Sequence, residues 1–336
     1  MRLYLIITTL LLSVIFSGCS SKKYFEPANT SKATGAISAH TGKARYLTRD
    51  GVTFDNNKYI SKYGSGDIIL KDNEIYLSES KNYLFTTDQY GKLFITNKKS
   101  KKVVKSIKFD VPIVSVALKD GLIVYLLQDN TFGIYKISND TKLVENKAED
   151  AFAVDSRIAS PMFIDNLAVV PTLDGKLLIM DMYHPENAKV IYISSSNKLN
   201  NVIYLSRVGN LLVTATPNRV MTIGTAEGEF SKRGISEVAI SKGAIYLFTK
   251  AGEIIKMNSS LKQVAYRKFK FAHFSTGTAF DGRVYALDQK GSLIVLDKNL
   301  KKYHIYDIGE VEDFAFASHK RVYKDNMIIS LDKLSL

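Results

Sequence analysis

Hydrophobic positions in this chain come in short runs of about four to six residues, each broken by Gly, Asn or Asp. Arg283 to Asp297 reads RVYALDQKGSLIVLD, an apolar run, a polar turn ending in Gly291, then a second apolar run. The same figure stands at Tyr83 to Ile95 around Gly91, at Leu167 to Asp181 around Gly175 and at Ala244 to Met257 around Gly252. Weaker copies run from Leu122 to Ile137, Leu211 to Ile223, Arg321 to Asp332 and Tyr46 to Phe54, turning near Thr131, Asn218, Asn326 and Gly51. Runs this short, rich in Val, Ile, Leu, Tyr and Phe, suit strands better than helices. Hairpins repeating at about 40 residues predict a β-propeller of four-stranded blades.

Many of these runs are apolar at every position, as in Leu293-Ile294-Val295-Leu296. A sheet with one wet face alternates apolar and polar residues. Continuous runs therefore predict middle strands covered on both faces by neighbouring blades. More polar stretches, such as Lys301 to Tyr306, suit outer strands. Complete units from about residue 63 onward give seven blades, with Tyr46 to Phe54 closing the ring. The alternative is eight blades, with Tyr46 to Phe54 as part of the eighth.

The N-terminus carries a different pattern. Arg2 precedes an apolar run from Leu3 to Phe16, and the small residues Ser17 and Gly18 lead to Cys19. A basic start, an apolar middle and small residues at the cut form a secretion signal. The run falls short of the roughly 20 residues that cross a bilayer. Residues 1–18 are expected to be a signal peptide. Residues 19–43, rich in Ser, Lys, Thr, Ala and Gly, are expected to be a flexible tether, and residues 44–336 the propeller domain.

Cys19 is the only cysteine in 336 residues. The small residues followed by cysteine resemble a bacterial lipoprotein lipobox, although Phe16 stands where Leu is usual. That resemblance implies cleavage between Gly18 and Cys19, a diacylglyceryl group on the Cys19 sulfur, and membrane attachment through the lipid. Ser20, rather than Asp, after the cysteine resembles the default that sends lipoproteins to the outer membrane, facing the periplasm, with cell-surface exposure a further option. With Cys19 acylated no thiol is left for a disulfide or for cysteine chemistry.

Composition adds a positive balance. The formal net charge is +13, mostly from lysine, with runs at Lys98 to Lys102 and Lys298 to Lys302. Lysine on turns and edge strands blocks edge pairing. It also favours anionic headgroups or an acidic partner. Export makes nucleic acid an unsuitable partner.

Units ending in "LD" around DGxL, as at Asp174 to Leu177 and Gly291 to Asp297, resemble the pyrroloquinoline-quinone-like repeat. With the lipobox, the whole chain is similar to the BamB family of outer-membrane assembly lipoproteins. That resemblance implies a non-catalytic scaffold, one copy within a hetero-complex, with the barrel-assembly machine as partner. Such repeats usually end in a Trp docked between blades, and this chain has no Trp. Phe, Tyr or aliphatic side chains are expected in those places.

No catalytic, cofactor or metal site is read from the sequence, and partner-binding residues are not assignable. Quinoprotein dehydrogenases share the repeat but rely on a Trp, a disulfide and a calcium-bound acidic site. His40, His184, His273, His304 and His319 are scattered, without HxH or HExxH spacing. No GxSxG elbow or phosphate-cradling Gly-rich loop is present. The expectation is a protein-interaction scaffold without enzymatic activity. Alternatives are a structural lipoprotein of another envelope complex, such as a secretion or motility apparatus, and an enzyme or small-ligand binder using the central channel.

Overall fold

A computed structural model describes residues 23–40, 42–151, 157–195, 200–318 and 320–336. The expected signal peptide, Gly18, Cys19 and His319 lie outside the described residues.

The hairpin repeat is set by the turn between the second and third strands of each blade. In blade 7, the Gly291 N–H donates to the Asp288 carbonyl at 2.9 Å, and the Asp288 side chain accepts from the Lys290 N–H at 2.9 Å. Gly291 then sits at φ +90°, a left-handed conformation that glycine takes without a Cβ clash. Its carbonyl accepts the Ile308 N–H at 3.0 Å, tying the turn to the segment that leaves the blade. Gly91 and Gly252 do the same through Phe109 and Phe269. Blade 3 uses Asn130 at φ +68°, the side chain that best tolerates this region after glycine.

These hairpins extend to eight sheets among the described residues, each a blade numbered along the chain. They span residues 44–65, 75–108, 113–147, 162–192, 204–231, 235–268, 274–307 and 315–330. The first strand of each blade lies innermost. Eight buried clusters hold the ring together, and each draws on two successive blades, the last and first included. In the strand Ser292–Asp297, Ile294 and Leu296 enter the cluster shared with blade 6, while Leu293 and Val295 enter the cluster shared with blade 8. A strand serving two cores must be apolar at every position. Aromatic side chains occupy these interfaces without Trp: Tyr59 stacks on Tyr76 at 5.0 Å between blades 1 and 2, and Phe109 meets Tyr125 at 4.5 Å between blades 2 and 3.

The count is eight blades, the alternative reading, and not seven. Tyr46 to Phe54 is the inner hairpin of a complete but small blade 1, whose turn between second and third strands is at Asn57, φ +62°, and not at Gly51. Its outer strands, Tyr59–Ser61 and Gly64–Ser65, are too short to show in the hydrophobic pattern.

The expected boundary at residue 44 also moves. Blade 8 has only three strands of its own, leaving the edge of Met327–Ser330 open. Ile37–Ala39 pairs antiparallel with that edge, Ile37 opposite Ile329 and Ala39 opposite Met327. Ser31–Lys32 adds in parallel to the outer strand of blade 7, Ser31 opposite Tyr306. Ala33 and Ala36 are buried between them. Phe25 packs on Phe269 at 5.7 Å, so the segment is fastened to the rim from residue 25 onward. An exposed edge offers a row of unpaired backbone groups, and a short strand of almost any composition satisfies it.

Candidate functional site

The channel enclosed by the innermost strands is the main concave feature. The second strand of blade 1 begins immediately after a tight turn, Thr48-Arg49-Asp50, closed by the Thr48 N–H donating to the Gly51 carbonyl at 2.9 Å. Side chains of this turn line the channel. Arg49 reaches across to Glu237 on the inner strand Ile235–Ser241 of blade 6 and forms an ion pair with it. Asp50 accepts the Ser160 hydroxyl at 2.5 Å, on the connector entering blade 4, and pairs with Lys62 at 3.1 Å. One turn thus ties blade 1 to two other parts of the ring.

The result is a channel bridged at its waist by the Arg49–Glu237 pair. A cavity of about 570 Å³ lies on one side, with Tyr204, Ser206, Lys242 and Thr278 in its wall, and one of about 330 Å³ lies on the other, with Arg157, Asn201, Lys250 and Gln289. Arg49, Ile203, Glu237 and Phe316 line both.

Arg49 and Glu237 keep only 15% and 21% of their side-chain exposure, so their charges meet largely out of water. Burial raises the Glu237 carboxyl above its ordinary value, although Arg49, the Val238 N–H at 3.2 Å and Arg157 all favour the charged form. Burial alone would lower the Lys62 ammonium, but Asp50 outweighs it and the net shift is upward. Burial also pushes the Tyr204 hydroxyl up to about 12, leaving it neutral and able to donate at any physiological pH.

The expected histidines do not converge. His40 packs on Phe54 at 4.8 Å, His184 is exposed beside Glu186, and His304 meets the Ser31 hydroxyl at 2.9 Å. His273 lines the smaller cavity. Among the described residues no group of three or more His, Cys, Asp or Glu side chains is placed to hold a metal ion. The waist residues come from separate segments with no motif between them. One cue was available: Glu237 interrupts the otherwise small and apolar run ISEVAIS.

The class is thereby defined as an eight-bladed β-propeller with a bridged channel. No protein-family model matches the chain. It is similar in sequence to the plasminogen-binding protein PgbB of Helicobacter pylori, in strains J99 and 26695, at 26% identity over 358 aligned positions in each case. The match takes in 93% of this chain and 66% of each relative, so the chain spans about two thirds of the length of the curated relatives it matches. In structure it resembles BamB from Moraxella catarrhalis, with a TM-score of 0.65 at 8% identity over 87% of this chain and 98% of that one. The C-terminal WD40 domain of Sif2 gives 0.63 at 11% identity, over 90% and 99%. These structures share the fold.

Proposed function

We propose that this chain is a lipid-anchored, non-catalytic propeller that docks proteins at the bacterial envelope. The observation that carries the reading is the bridged channel. Arg49 and Glu237 are engaged with each other across the ring, and the outer faces offer the exposed groups for a partner. The face formed by the turns between first and second and between third and fourth strands carries Lys98, Lys99, Lys101, Lys298, Lys301 and Lys302, with Tyr63 and Tyr183 exposed on turns of the same face. Aromatic rings supply contact area, and lysines orient an acidic partner. Acylation of Cys19 holds the propeller on the periplasmic side of the outer membrane. The fold shared with BamB supports a role in outer-membrane protein assembly.

A second reading has its own observation, the sequence similarity to PgbB across nearly the whole chain. Under it, the same faces bind plasminogen or a similar protein, and the chain is displayed at the cell surface.

One experiment separates the readings: crosslinking in cells, capture of the tagged, natively acylated protein and identification of its neighbours by mass spectrometry, with a Cys19→Ala control. Recovery of the barrel-assembly machine supports the first reading. Its absence, together with saturable capture of added plasminogen by intact cells, supports the second. Failure to recover any protein above the control overturns the docking function.

A further inference from the structure

The N-terminal segment is fastened to one corner of the ring, and that corner has unusual surface chemistry. Lys23 and Tyr24 lie over the Lys270-Phe271 connection between blades 6 and 7 and the turn at Lys290 of blade 7. The Lys23 ammonium is 5.7 Å from the Phe271 ring centroid, Lys270 is 5.0 Å from the same ring, and Lys290 is 4.4 Å from the Tyr24 ring. Tyr24 and Phe271 nevertheless remain 43% and 45% exposed.

Phe271 is in the left-handed region, at φ +68°. A bulky residue there is strained. Leu261 and Leu300 share this conformation, but both are buried, so packing offsets the strain. Phe271 has no such compensation. The corresponding turn of blade 7 places glycine, Gly309 at φ +76°, at its left-handed position. An exposed aromatic ring held in a strained backbone between two lysines points to a binding role.

We propose that this corner is a second membrane contact, seated on the anionic phospholipid headgroups beside the lipid anchor. The inference rests on the acylation of Cys19 proposed above. Its main support is length. Lys23 follows Cys19 by four positions, a span of at most about 14 Å when fully extended. The acyl chains therefore enter the bilayer close to Phe271, and the corner cannot stand off from the headgroups. The charges are complementary: Lys23 and Lys270 flank the ring, and of the nearby carboxylates Glu310 is held by Lys290 at 2.6 Å and Glu253 by Lys232 at 2.7 Å and Lys268 at 3.9 Å, leaving Glu26 as the opposing charge. The acyl chains hold the protein on the bilayer but leave it free to swivel, and a basic-aromatic patch beside them fixes its orientation through the anionic surface. This contact would set the propeller on its rim at blades 6 and 7, with the lysine-rich turn face directed away from the lipid.

The sole cysteine is the anchor, so a Phe271→Cys variant of the acylated protein takes a single fluorescent label. Ser100→Cys, on an exposed turn of blade 2, is the control. Both are placed in vesicles of phosphatidylcholine with phosphatidylglycerol, some lipids carrying a nitroxide quencher near the headgroup. The expected result is several-fold stronger quenching at 271 than at 100, weakening in pure phosphatidylcholine or in 1 M salt, which shortens the Debye length to about 3 Å. Equal, weak quenching at both positions in protein that floats with the vesicles overturns the contact while the anchor stands. Absence of the acyl mass on Cys19 removes the anchor and overturns the inference with it.

Discussion

Replacing Arg49 by Met removes one partner of the ion pair across the channel and leaves the Glu237 carboxylate behind. Breaking a largely buried pair from one side costs about 3–5 kcal/mol, because the remaining charge keeps its desolvation penalty. Arg157 still faces Glu237 and the Val238 N–H still donates to it, so the loss belongs at the lower end, about 3 kcal/mol at pH 8. The pH dependence has a definite sign. The folded-state pKa of Glu237 is raised, so the native protein binds this proton more tightly than the unfolded chain, and stability declines as pH rises through the window between the two values. Removing Arg49 pushes the folded value higher and widens the window upward. Each unit of widening is worth about 1.4 kcal/mol between the charged and neutral extremes. The cost of Arg49→Met therefore shrinks as pH falls through the raised folded-state value, where Glu237 takes up its proton. Urea unfolding at pH 8 and pH 5.5, applied to Arg49→Met, Glu237→Gln and the double variant, measures this. A cost that is the same at both pH values and is not relieved in the double variant refutes the reasoning.

The turns give three sharper contrasts. A Cβ on Gly291 would lie 2.1 Å from the Gly309 carbonyl oxygen, whereas one on Gly282 meets nothing within 4 Å, although both have positive φ. In urea unfolding, Gly291→Ala should cost well above the 1–2 kcal/mol of left-handed strain that bounds Gly282→Ala. The Asn130 side chain donates to the Glu149 carbonyl at 2.8 Å and Asp174 at 3.0 Å and accepts the Leu173 N–H at 3.0 Å. Asn130→Gly loses these bonds but keeps the backbone, while Asn130→Ala loses both, so the alanine variant should unfold at the lower urea concentration. Phe271→Asn relieves exposed left-handed strain and should raise stability by about 1 kcal/mol in the same assay.

The sequence pattern made the propeller visible because each long middle strand feeds two cores, and that demand writes an unbroken apolar run such as Leu293 to Leu296. The glycine and aspartate of each turn mark the hairpins for equally local reasons. Blade 1 was harder to see, since Tyr59–Ser61 and Gly64–Ser65 are too short to set a rhythm. Ring closure left almost no trace. Ser31–Lys32 and Ile37–Ala39 join edges through backbone hydrogen bonds, and Ala33 and Ala36 fill narrow space where composition suggests a linker. The waist of the channel was invisible for a different reason. Arg49, Asp50, Ser160 and Glu237 are brought together only by closure of the ring.

The fourth strand of blade 8 and the short tether proposed above both depend on residues 31–39 belonging to the propeller. Hydrogen–deuterium exchange, read on peptides covering 31–39 and 327–330, tests this directly. The amides of Ile37 to Ala39 should exchange slowly and in step with those of Met327 to Ser330. Exchange of 31–39 within seconds, while the strands of blade 7 stay protected, would contradict the account and return this segment to a free tether.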